Sequence, residues 1–332
     1  GESGNSGSAV PQLAGALLLH AFPDRIALQR GGRGRFVMAN GRGAELPETE
    51  RLAGSQMLVI ADLTGRAAQA RILAAAEISR ADVEEHLPGE IRTEDQSFFD
   101  RASRQVRARR ATRLGAITFE ETPLPRPSGE QAAKALAEGI RELGIGVLPF
   151  SKEAAQLRDR IGFLYRTIGD PWPDMSDDAL AARLDDWFTP FQTDARGLSD
   201  ISAGGLSNGL MSLVPHELQR DLARMAPTHF EAPTGQRHPI QYDGEEPLLT
   251  IRVQELFGLK QHPAIGGGRL PLVLELTSPA HRPIQTTRDL PGFWAGSWKD
   301  VRADMRGRYP RHPWPEDPAE ALPTTRAKPR GT

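Results

Sequence analysis

The 332-residue sequence predicts an α+β protein composed of a small β-barrel, a helical subdomain and a mixed α/β subdomain. Three observations support this fold class. Short runs rich in Val, Ile, Phe and Leu alternate with Gly-containing turns in the first 125 residues. Apolar residues then recur at helical spacing, and strand patterns return after residue 228. Proline-rich joints at 123–127 and 226–227 coincide with these changes and therefore mark boundaries between the three parts.

The first part is expected to form a barrel that follows a short apolar helix at 13–21. Five strands are predicted, at 25–29, 35–39, 57–62, 67–75 and 106–120. Strict alternation in the last run places Arg107 and Arg109 on one face of their strand. A small barrel with arginine-rich strands and loops is typical of the oligonucleotide-binding (OB) fold, so this part is predicted to be OB-like.

The second part carries helix signals in a regular order. Ser128 followed by Gln131 predicts a capping box, and Gly144 predicts the end of that helix. Ser151 and Ser176 are expected to cap two further helices. The apolar stripes of these two helices predict buried faces and consist of Leu157, Ile161, Leu164 and Ile168, and of Leu180, Leu184, Trp187 and Phe188.

The third part is predicted to contain strands at 229–231, 237–242, 249–254, 270–277 and 283–287. Asp289 then caps a helix on which Trp294 and Trp298 face the core. The expected division of the chain is a flexible linker, an OB-like domain, a helical part, a mixed part and a proline-rich basic tail. These segments span 1–12, 13–125, 126–227, 228–318 and 319–332.

Composition excludes several classes of protein. The chain has 41 Lys and Arg against 43 Asp and Glu, and its formal net charge is -2. Because it contains no cysteine, disulfides, thiolate nucleophiles and cysteine-based zinc sites are excluded. No apolar run reaches the roughly 18 to 20 residues of a transmembrane helix, and the first eight residues lack a signal-peptide pattern. A cytoplasmic protein without a membrane partner is expected.

Basic residues are concentrated in three segments. Residues 24–43 contain five Arg and one Asp, 101–113 contain six Arg and no acid, and 282–315 contain seven Lys or Arg and three Asp. The last segment also carries aromatic residues, and this combination suits phosphates and unstacked bases, or an acidic partner protein. The candidate nucleic-acid contacts are Arg33, Arg35, Arg107, Arg109, Lys299, Arg302, Arg306 and Arg308.

Several fragments resemble catalytic motifs without their required context. Ser207 lies in a G-x-S-x-G pattern, but no strand pattern precedes it. The glycines at 266–268 are not followed by the Gly-Lys pair of a phosphate-binding loop, and the eight His form no metal-ligand pattern. Residues 29–35 are one residue short of a helicase arginine-finger motif and fit a basic turn better. No catalytic residue, cofactor or metal is therefore expected in this chain.

Five segments carry a resemblance to a known family, and they are 21–27 (AFPDRIA), 40–44 (NGRGA), 253–258 (VQELFG), 269–280 (RLPLVLELTSPA) and 306–315 (RGRYPRHPWP). With these segments the sequence resembles the C-terminal half of the HrpB family of bacterial DEAH-box ATP-dependent helicases over nearly its whole length. In that family two RecA-like motor domains precede an OB-like domain and a C-terminal extension.

The resemblance implies a non-catalytic C-terminal region whose partners are the RecA-like motor domains of the same polypeptide. ATP and Mg²⁺ are then expected only in those motor domains, because no position here matches their motifs. The expected role is binding of single-stranded RNA, or of single-stranded DNA, together with regulation of the ATPase core. Two alternatives remain open: the proline-rich aromatic end forms a docking site for a protein regulator, or both basic faces pair with the acidic helices inside the fold.

Overall fold

The computed structural model describes residues 9–65 and 69–328, which form two compact units. The first unit extends to Pro127 and the second begins at Ser128, next to the proline-rich joint at 123–127. The helical and mixed parts of the sequence lie together in the second unit. No helix within the described ranges is long and apolar enough to cross a membrane.

Helix α1 (Ala9–Ala21) precedes a closed five-stranded barrel. The sequence predicts this helix and a small barrel, and four of the five predicted strands belong to the barrel. The strand order is β1-β2-β3-β5-β4, with β4 paired to β1, and only the β3–β5 pair is parallel. Apolar side chains such as Phe36, Leu58 and Ile60 fill the interior. The strands are β1 (Ile26–Gln29), β2 (Arg35–Met38), β3 (Gly43–Glu45), β4 (Met57–Thr64) and β5 (Gln69–Glu77).

The predicted fifth barrel strand at 106–120 is wrong, because this segment forms two strands of a separate sheet. Helix α2 (Arg80–His86) leads into an antiparallel sheet with the order β6-β7-β8. The chain turns at Gly115, whose φ is +54° and whose neighbour Ala116 donates its N–H to Ala39 O on the barrel at 2.9 Å. The strands are β6 (Arg92–Asp100), β7 (Gln105–Leu114) and β8 (Ile117–Leu124).

A second apolar cluster joins the helices, the barrel and the three-stranded sheet of the first unit. Leu19 of α1 and Val83 of α2 meet Val59 of the barrel there. Leu114 and Ile117 flank the turn between β7 and β8 and belong to the same cluster. The sheet is therefore held to the barrel at one end of its hairpin, and most residues of β6 remain exposed.

The second unit begins with seven helices, and their caps follow the sequence signals closely. Ser151 Oγ and Ser176 Oγ each accept a backbone N–H three residues ahead, at 3.1 and 3.2 Å. Gly144 ends α3 with φ +95°, whereas Ser128 makes no capping hydrogen bond, so its predicted capping box is wrong. The helices are α3 (Gly129–Leu143), α4 (Lys152–Ile168), α5 (Asp177–Ala182), α6 (Leu184–Trp187), α7 (Ala203–Ser212), α8 (His216–Gln219) and α9 (Leu222–Met225).

The stripe from Leu180 to Phe188 is buried as predicted, although the helix that carries it is broken. The break falls at Arg183, between α5 and α6. Helix α7 packs closely against α6, because a Cβ at Gly209 would lie 1.8 Å from Trp187 O. In α4 the stripe is buried at Ile161 and exposed at Ile168, near the helix end.

Short strands and two helices complete the second unit. Strand β11 pairs in parallel with β14, and β14 pairs antiparallel with β15. The strands are β9 (His229–Glu231), β10 (Arg237–Pro239), β11 (Leu248–Arg252), β12 (Ala264–Ile265), β13 (Leu270–Pro271), β14 (Val273–Thr277) and β15 (Pro283–Thr287). Asp289 caps α10 (Leu290–Ala295) as predicted, and a break at Gly296 separates it from α11 (Trp298–Arg308).

Candidate nucleic-acid interface

Arg33 and Arg35 both lie in the β1–β2 hairpin of the barrel, but they differ in what they contact. The Arg33 guanidinium donates to Glu48 O at 2.8 Å and to Glu50 O at 3.2 Å. It also lies against Gly54, where a Cβ would be 2.4 Å from its Nη1. Arg33 therefore holds the loop before β4, although its side chain remains exposed.

Arg35 faces Arg30 across the open end of the same hairpin. The Arg30 N–H donates to Arg35 O at 2.9 Å, and the Arg35 N–H donates to Gly32 O at 3.2 Å, which closes the turn. Both residues are exposed, and within residues 9–65 and 69–328 neither side chain makes an ion pair. Glu45 on β3 is the register partner of Arg35 on β2. Its carboxylate oxygens are not within 4.0 Å of the Arg35 guanidinium nitrogens, so the two make no ion pair. Two like charges without a counter-ion form a site that favours an anion.

Arg30 is not among the contacts predicted from the sequence, although the sequence contains a signal for it. Gly31 and Gly34 have φ of +86° and +83°, values that favour glycine in a tight turn. Such a turn between two apolar runs predicts a hairpin and therefore places Arg30 opposite Arg35. Arg42, in the next loop, is exposed as well, and its Nη2 lies 3.5 Å from Gly65 O after β4.

The prediction that Arg107 and Arg109 lie on the barrel is wrong, because both belong to β7 of the separate sheet. Each is matched by a carboxylate from a flanking strand. Arg107 Nε lies 3.2 Å from Asp100 Oδ2, and Arg109 Nη1 lies 3.2 Å from Glu121 Oε1. The Arg109 guanidinium also stacks on Phe98, with its carbon 4.6 Å from the ring centroid.

Arg110 follows the same pattern and pairs with Asp95 through two hydrogen bonds, of 2.8 and 3.2 Å. The hydrogen bond from Arg110 lowers the pKa of Asp95 below its ordinary value. Both side chains are well exposed. The segment 101–113 contains no acid of its own, but β6 and β8 supply the carboxylates. These three arginines are therefore paired inside the fold, but their acids come from neighbouring strands and not from the acidic helices that the alternative named.

The four cations of α11 also divide into two kinds. Arg302 donates from Nε to Trp314 O at 2.7 Å, and its Nη2 lies 3.8 Å from Glu316 Oε1. Arg308 Nε lies 3.2 Å from Asp304 Oδ1, one helical turn earlier. Lys299 and Arg306, the other two, are exposed and make no ion pair with any described residue. Arg302 is therefore a structural residue, and two cations of this helix remain for a ligand.

The tryptophans near α11 serve the core, as the helical spacing predicts. Each indole N–H is used internally: Trp294 donates to Leu259 O at 3.0 Å, and Trp298 donates to Pro315 O at 2.9 Å. Trp314, only 7% exposed, donates to the Tyr309 carbonyl at 2.9 Å. The aromatic side chains of the basic segment thus pack against each other, and the rings of Trp294, Trp298 and Trp314 are mostly withdrawn from solvent.

The fragments that resemble catalytic motifs have structural roles. Ser207 lies inside α7, so it is not at the turn between a strand and a helix that a nucleophile requires. The glycines at 266–268 connect the short strands β12 and β13 and do not lead directly into a helix. This loop therefore lacks the helix N-terminus that a phosphate-binding loop of the P-loop type uses. Among the described residues no group of three His, Asp or Glu is arranged to hold a metal.

Comparison with known proteins shows which class of protein this chain is similar to. Residues 187–318 match the HrpB_C family, which is described as ATP-dependent helicase C-terminal. The chain is 38% identical over 326 residues to the ATP-dependent RNA helicase HrpB of Escherichia coli strain K12. This match covers 97% of the chain and 40% of the relative, so the chain spans less than half of that protein's length.

Two solved structures agree with the sequence match. The crystal structure of the E. coli DExH-box NTPase HrpB has a TM-score of 0.68 and 38% identity, covering 94% of this chain and 39% of that one. The crystal structure of the E. coli DEAH/RHA helicase HrpB has a TM-score of 0.60 and 34% identity, covering 91% and 38%. The predicted resemblance is confirmed: the chain is similar to the C-terminal region of HrpB-type helicases over nearly its whole length.

Proposed function

We propose that this chain is the non-catalytic C-terminal region of an HrpB-like ATP-dependent helicase and that its barrel binds single-stranded RNA. The observation that carries the proposal is the pair Arg30 and Arg35, two exposed arginines that face each other without a carboxylate partner among the described residues. Phosphate contacts by arginine provide most of the affinity of non-specific nucleic-acid binding. Lys299 and Arg306 add two further cations in the second unit that have no ion-pair partner in the described part of the chain.

The position of this pair on the barrel supports the same ligand. An OB fold is a five-stranded barrel that binds oligonucleotides over strands 2 and 3 and over the loops 1–2 and 4–5. The barrel here has five strands, and Arg30 and Arg35 border its loop 1–2. Arg42 lies between strands 2 and 3 and contacts Gly65 at the start of loop 4–5. We infer that the barrel is OB-like and uses this surface.

A groove beside Arg30 offers apolar surface for a base. Leu28 and Val37 from the barrel and Phe119 from β8 line it, and all three are partly exposed. The carboxylates in the lining are already neutralised, since Glu120 pairs with Arg80 and Glu121 with Arg109. The Arg80 guanidinium already lies over the Phe119 ring, with its carbon 5.3 Å from the centroid, so a base would meet the groove through apolar contact with its lining. Such contact is tolerant of base identity, which fits RNA or single-stranded DNA of any sequence.

The chemistry of ATP hydrolysis would belong to RecA-like motor domains of the same polypeptide. ATP and Mg²⁺ would bind there, and the present chain would guide the nucleic acid and regulate the motor, in the cytoplasm. The alternative of a protein docking module relied on the aromatic end 309–315. That segment folds onto its own unit through Trp298 and Trp314, which favours the RNA proposal over docking by this segment.

The test is fluorescence anisotropy of the whole chain with a labelled single-stranded RNA of about 16 nucleotides, the upper site size of one OB fold. Binding is measured from about 50 to about 200 mM salt, where phosphate contacts lose affinity steeply. We expect salt-dependent binding to RNA and to single-stranded DNA, and weaker binding to a duplex. Binding that is absent at low salt, or that does not change with salt, would contradict the proposal.

A matched pair of charge reversals separates the barrel site from general electrostatics. Arg35→Glu and Arg110→Glu change the net charge equally, and both positions are exposed. Arg35 lacks an ion pair among the described residues, whereas Arg110 already holds Asp95. We expect Arg35→Glu to weaken RNA binding more than Arg110→Glu. Equal losses for the two variants would mean that only net charge matters.

A further inference from the structure

A buried polar cluster in the second unit has no part in the function proposed so far. Glu255 is 1% exposed, and its Oε1 lies 3.0 Å from His238 Nε2. Arg252 donates from Nε to the second oxygen of Glu255 at 3.3 Å. A buried carboxylate is costly unless it is paired, so this cluster holds the Arg252 side chain in one orientation. The question is what that orientation serves.

Arg252 connects the cluster to the C-terminal strap, which we define as residues 324–328. Its Nη1 donates to Thr325 O at 3.4 Å, across 73 residues of sequence. The strap is fastened at two further points, because Thr324 N–H donates to Gln254 O at 3.1 Å and Lys328 N–H donates to Arg311 O at 2.8 Å. The proline-rich basic tail predicted at 319–332 is therefore attached to the unit up to residue 328, and its last four residues lie outside the described ranges.

The strap brings exposed cations together. Arg326 and Lys328 belong to it, and Arg311 is hydrogen-bonded to it through its backbone carbonyl. All three are exposed, and none makes a side-chain ion pair with any residue in 9–65 or 69–328. Some exposed cations in this unit are matched, as Lys260 is by Glu320 at 2.8 Å, whereas Lys299 and Arg306 on α11 have no ion-pair partner among the described residues. Two unmatched cations on the strap and a third that is hydrogen-bonded to it form a surface for a polyanion.

Partly exposed rings lie beside these cations. Tyr309 and His312 make an edge-to-face contact, with centroids 6.4 Å apart. The Tyr309 hydroxyl lies 3.3 Å from Ser278 Oγ, which fixes the ring. The positive charge of Arg311 is close enough to contribute to lowering the pKa of His312, after the effect of burial and that of Arg252. Cations next to fixed rings are the combination that binds single-stranded nucleic acid.

We propose that Arg311, Arg326 and Lys328 form a second phosphate-binding surface for single-stranded RNA, positioned by Glu255 and Arg252. This inference rests on the proposed function, because it assigns the same class of ligand to the second unit. The main RNA contact of the second unit is then the strap, whereas the contacts predicted from the sequence for this unit lie on α11. Arg252 is a positioning residue here, since it acts through the backbone of Thr325.

The test compares two triple variants of the whole chain. In the first, Arg311, Arg326 and Lys328 are all changed to Ala. In the control, three exposed cations of the same unit that already have acid partners are changed to Ala, and they are Lys134, Arg183 and Lys260. Both variants lose the same charge. Thermal unfolding is measured for both variants to confirm that they fold.

Binding of labelled oligouridylate is then followed against salt. A single strand contributes about 0.7 to the log–log salt slope for each phosphate contact, so the strap variant should lose up to about 2. The control variant should keep the slope of the unchanged chain. A strap variant whose slope equals that of the control would overturn the inference. If the unchanged chain does not bind RNA, the proposed function is wrong. If the Arg30 and Arg35 variants reduce the salt slope and the strap variant does not, the proposed function stands and only the strap inference is wrong.

Two further measurements examine the ligand class and the positioning role. Polyglutamate that competes as strongly as polyuridylate at equal charge would assign the surface to acidic proteins and overturn the RNA assignment. Arg252→Lys keeps the charge but cannot reach both Glu255 and Thr325. We expect this variant to lower the salt slope as the strap variant does, and to speed trypsin cleavage after Arg326. An unchanged slope together with faster cleavage would show that the strap does not bind RNA.

Discussion

The β1–β2 hairpin and strand β7 are both rich in arginine, but they differ in whether those arginines have ion-pair partners. At the hairpin end, Arg30 and Arg35 face each other without a carboxylate within ion-pair distance among the described residues. On β7, Arg107, Arg109 and Arg110 are each matched by an acid. The comparison teaches that the local charge of a strand depends on its neighbours in the sheet more than on its own composition.

The physical reason lies in the position of each strand. Strand β7 is central, and both of its neighbours carry acids that the antiparallel register places beside the arginines. At the end of the β1–β2 hairpin one acid is in register, Glu45 of β3 opposite Arg35, and it makes no ion pair with that arginine. Helix α11 repeats the contrast, since Arg302 contacts Trp314 O whereas Arg306 has no ion-pair partner among the described residues.

The largest expected effect is a loss of stability on removal of Arg302, a cation that is hydrogen-bonded inside the fold. Arg302→Ala removes the 2.7 Å hydrogen bond to Trp314 O and leaves that carbonyl without its donor. We expect the free energy of unfolding to fall by about 1.5–3 kcal/mol, the usual range for a hydrogen bond to a charged group. Urea denaturation measures it. Arg306→Ala is the control and should change stability by less than about 0.5 kcal/mol.

The next effect concerns RNA affinity and the unpaired arginines. Changing both Arg30 and Arg35 to Ala removes two phosphate contacts, each worth about 0.7 in the salt slope. At about 100 mM salt this corresponds to roughly 25-fold weaker binding of single-stranded RNA, with little change in stability. Anisotropy titrations measure the loss. If Arg107→Ala weakens binding as much, the distinction between paired and unpaired arginines does not hold.

A smaller effect is expected for a paired arginine of β7. Arg109→Ala removes the stacking on Phe98 and the contact with Glu121. We expect the free energy of unfolding to decrease by about 0.5–1 kcal/mol, as for a cation–π contact at an exposed site. RNA affinity and its salt slope should stay unchanged. A clear fall in the salt slope would instead place β7 in the interface.

The smallest effect is a pH dependence at His312. Burial, followed by the charges of Arg252 and Arg311, lowers the pKa of His312 below its ordinary value of 6.5. The unfolded state therefore binds more protons below that pH, and the fold loses stability as pH falls through about 6.5. We expect a decrease in Tm from about pH 7.5 to about pH 5.5 that is reduced in His312→Asn. An equal decrease in the variant would assign the effect to other groups.

Local signals in the sequence predicted the helical part of the fold well. The caps at Ser151, Ser176 and Asp289 are present, because a cap depends on residues only three positions apart. Strand β3, in contrast, has three residues and was missed, since so short a run has no detectable period. The turn at Gly115 was also missed, because it is set by close contact with Ala39 on the barrel.

The residue types of the interface follow from the sequence, and so does the inward orientation of Trp294 and Trp298, because composition and helical spacing are local properties. Tertiary structure decided which cations remain free for a ligand. Arg110 meets its partner across 15 residues and Arg302 across 12, so strand register and helix packing determine both contacts. Arg252 reaches Thr325 across 73 residues, a distance over which no sequence pattern indicates contact.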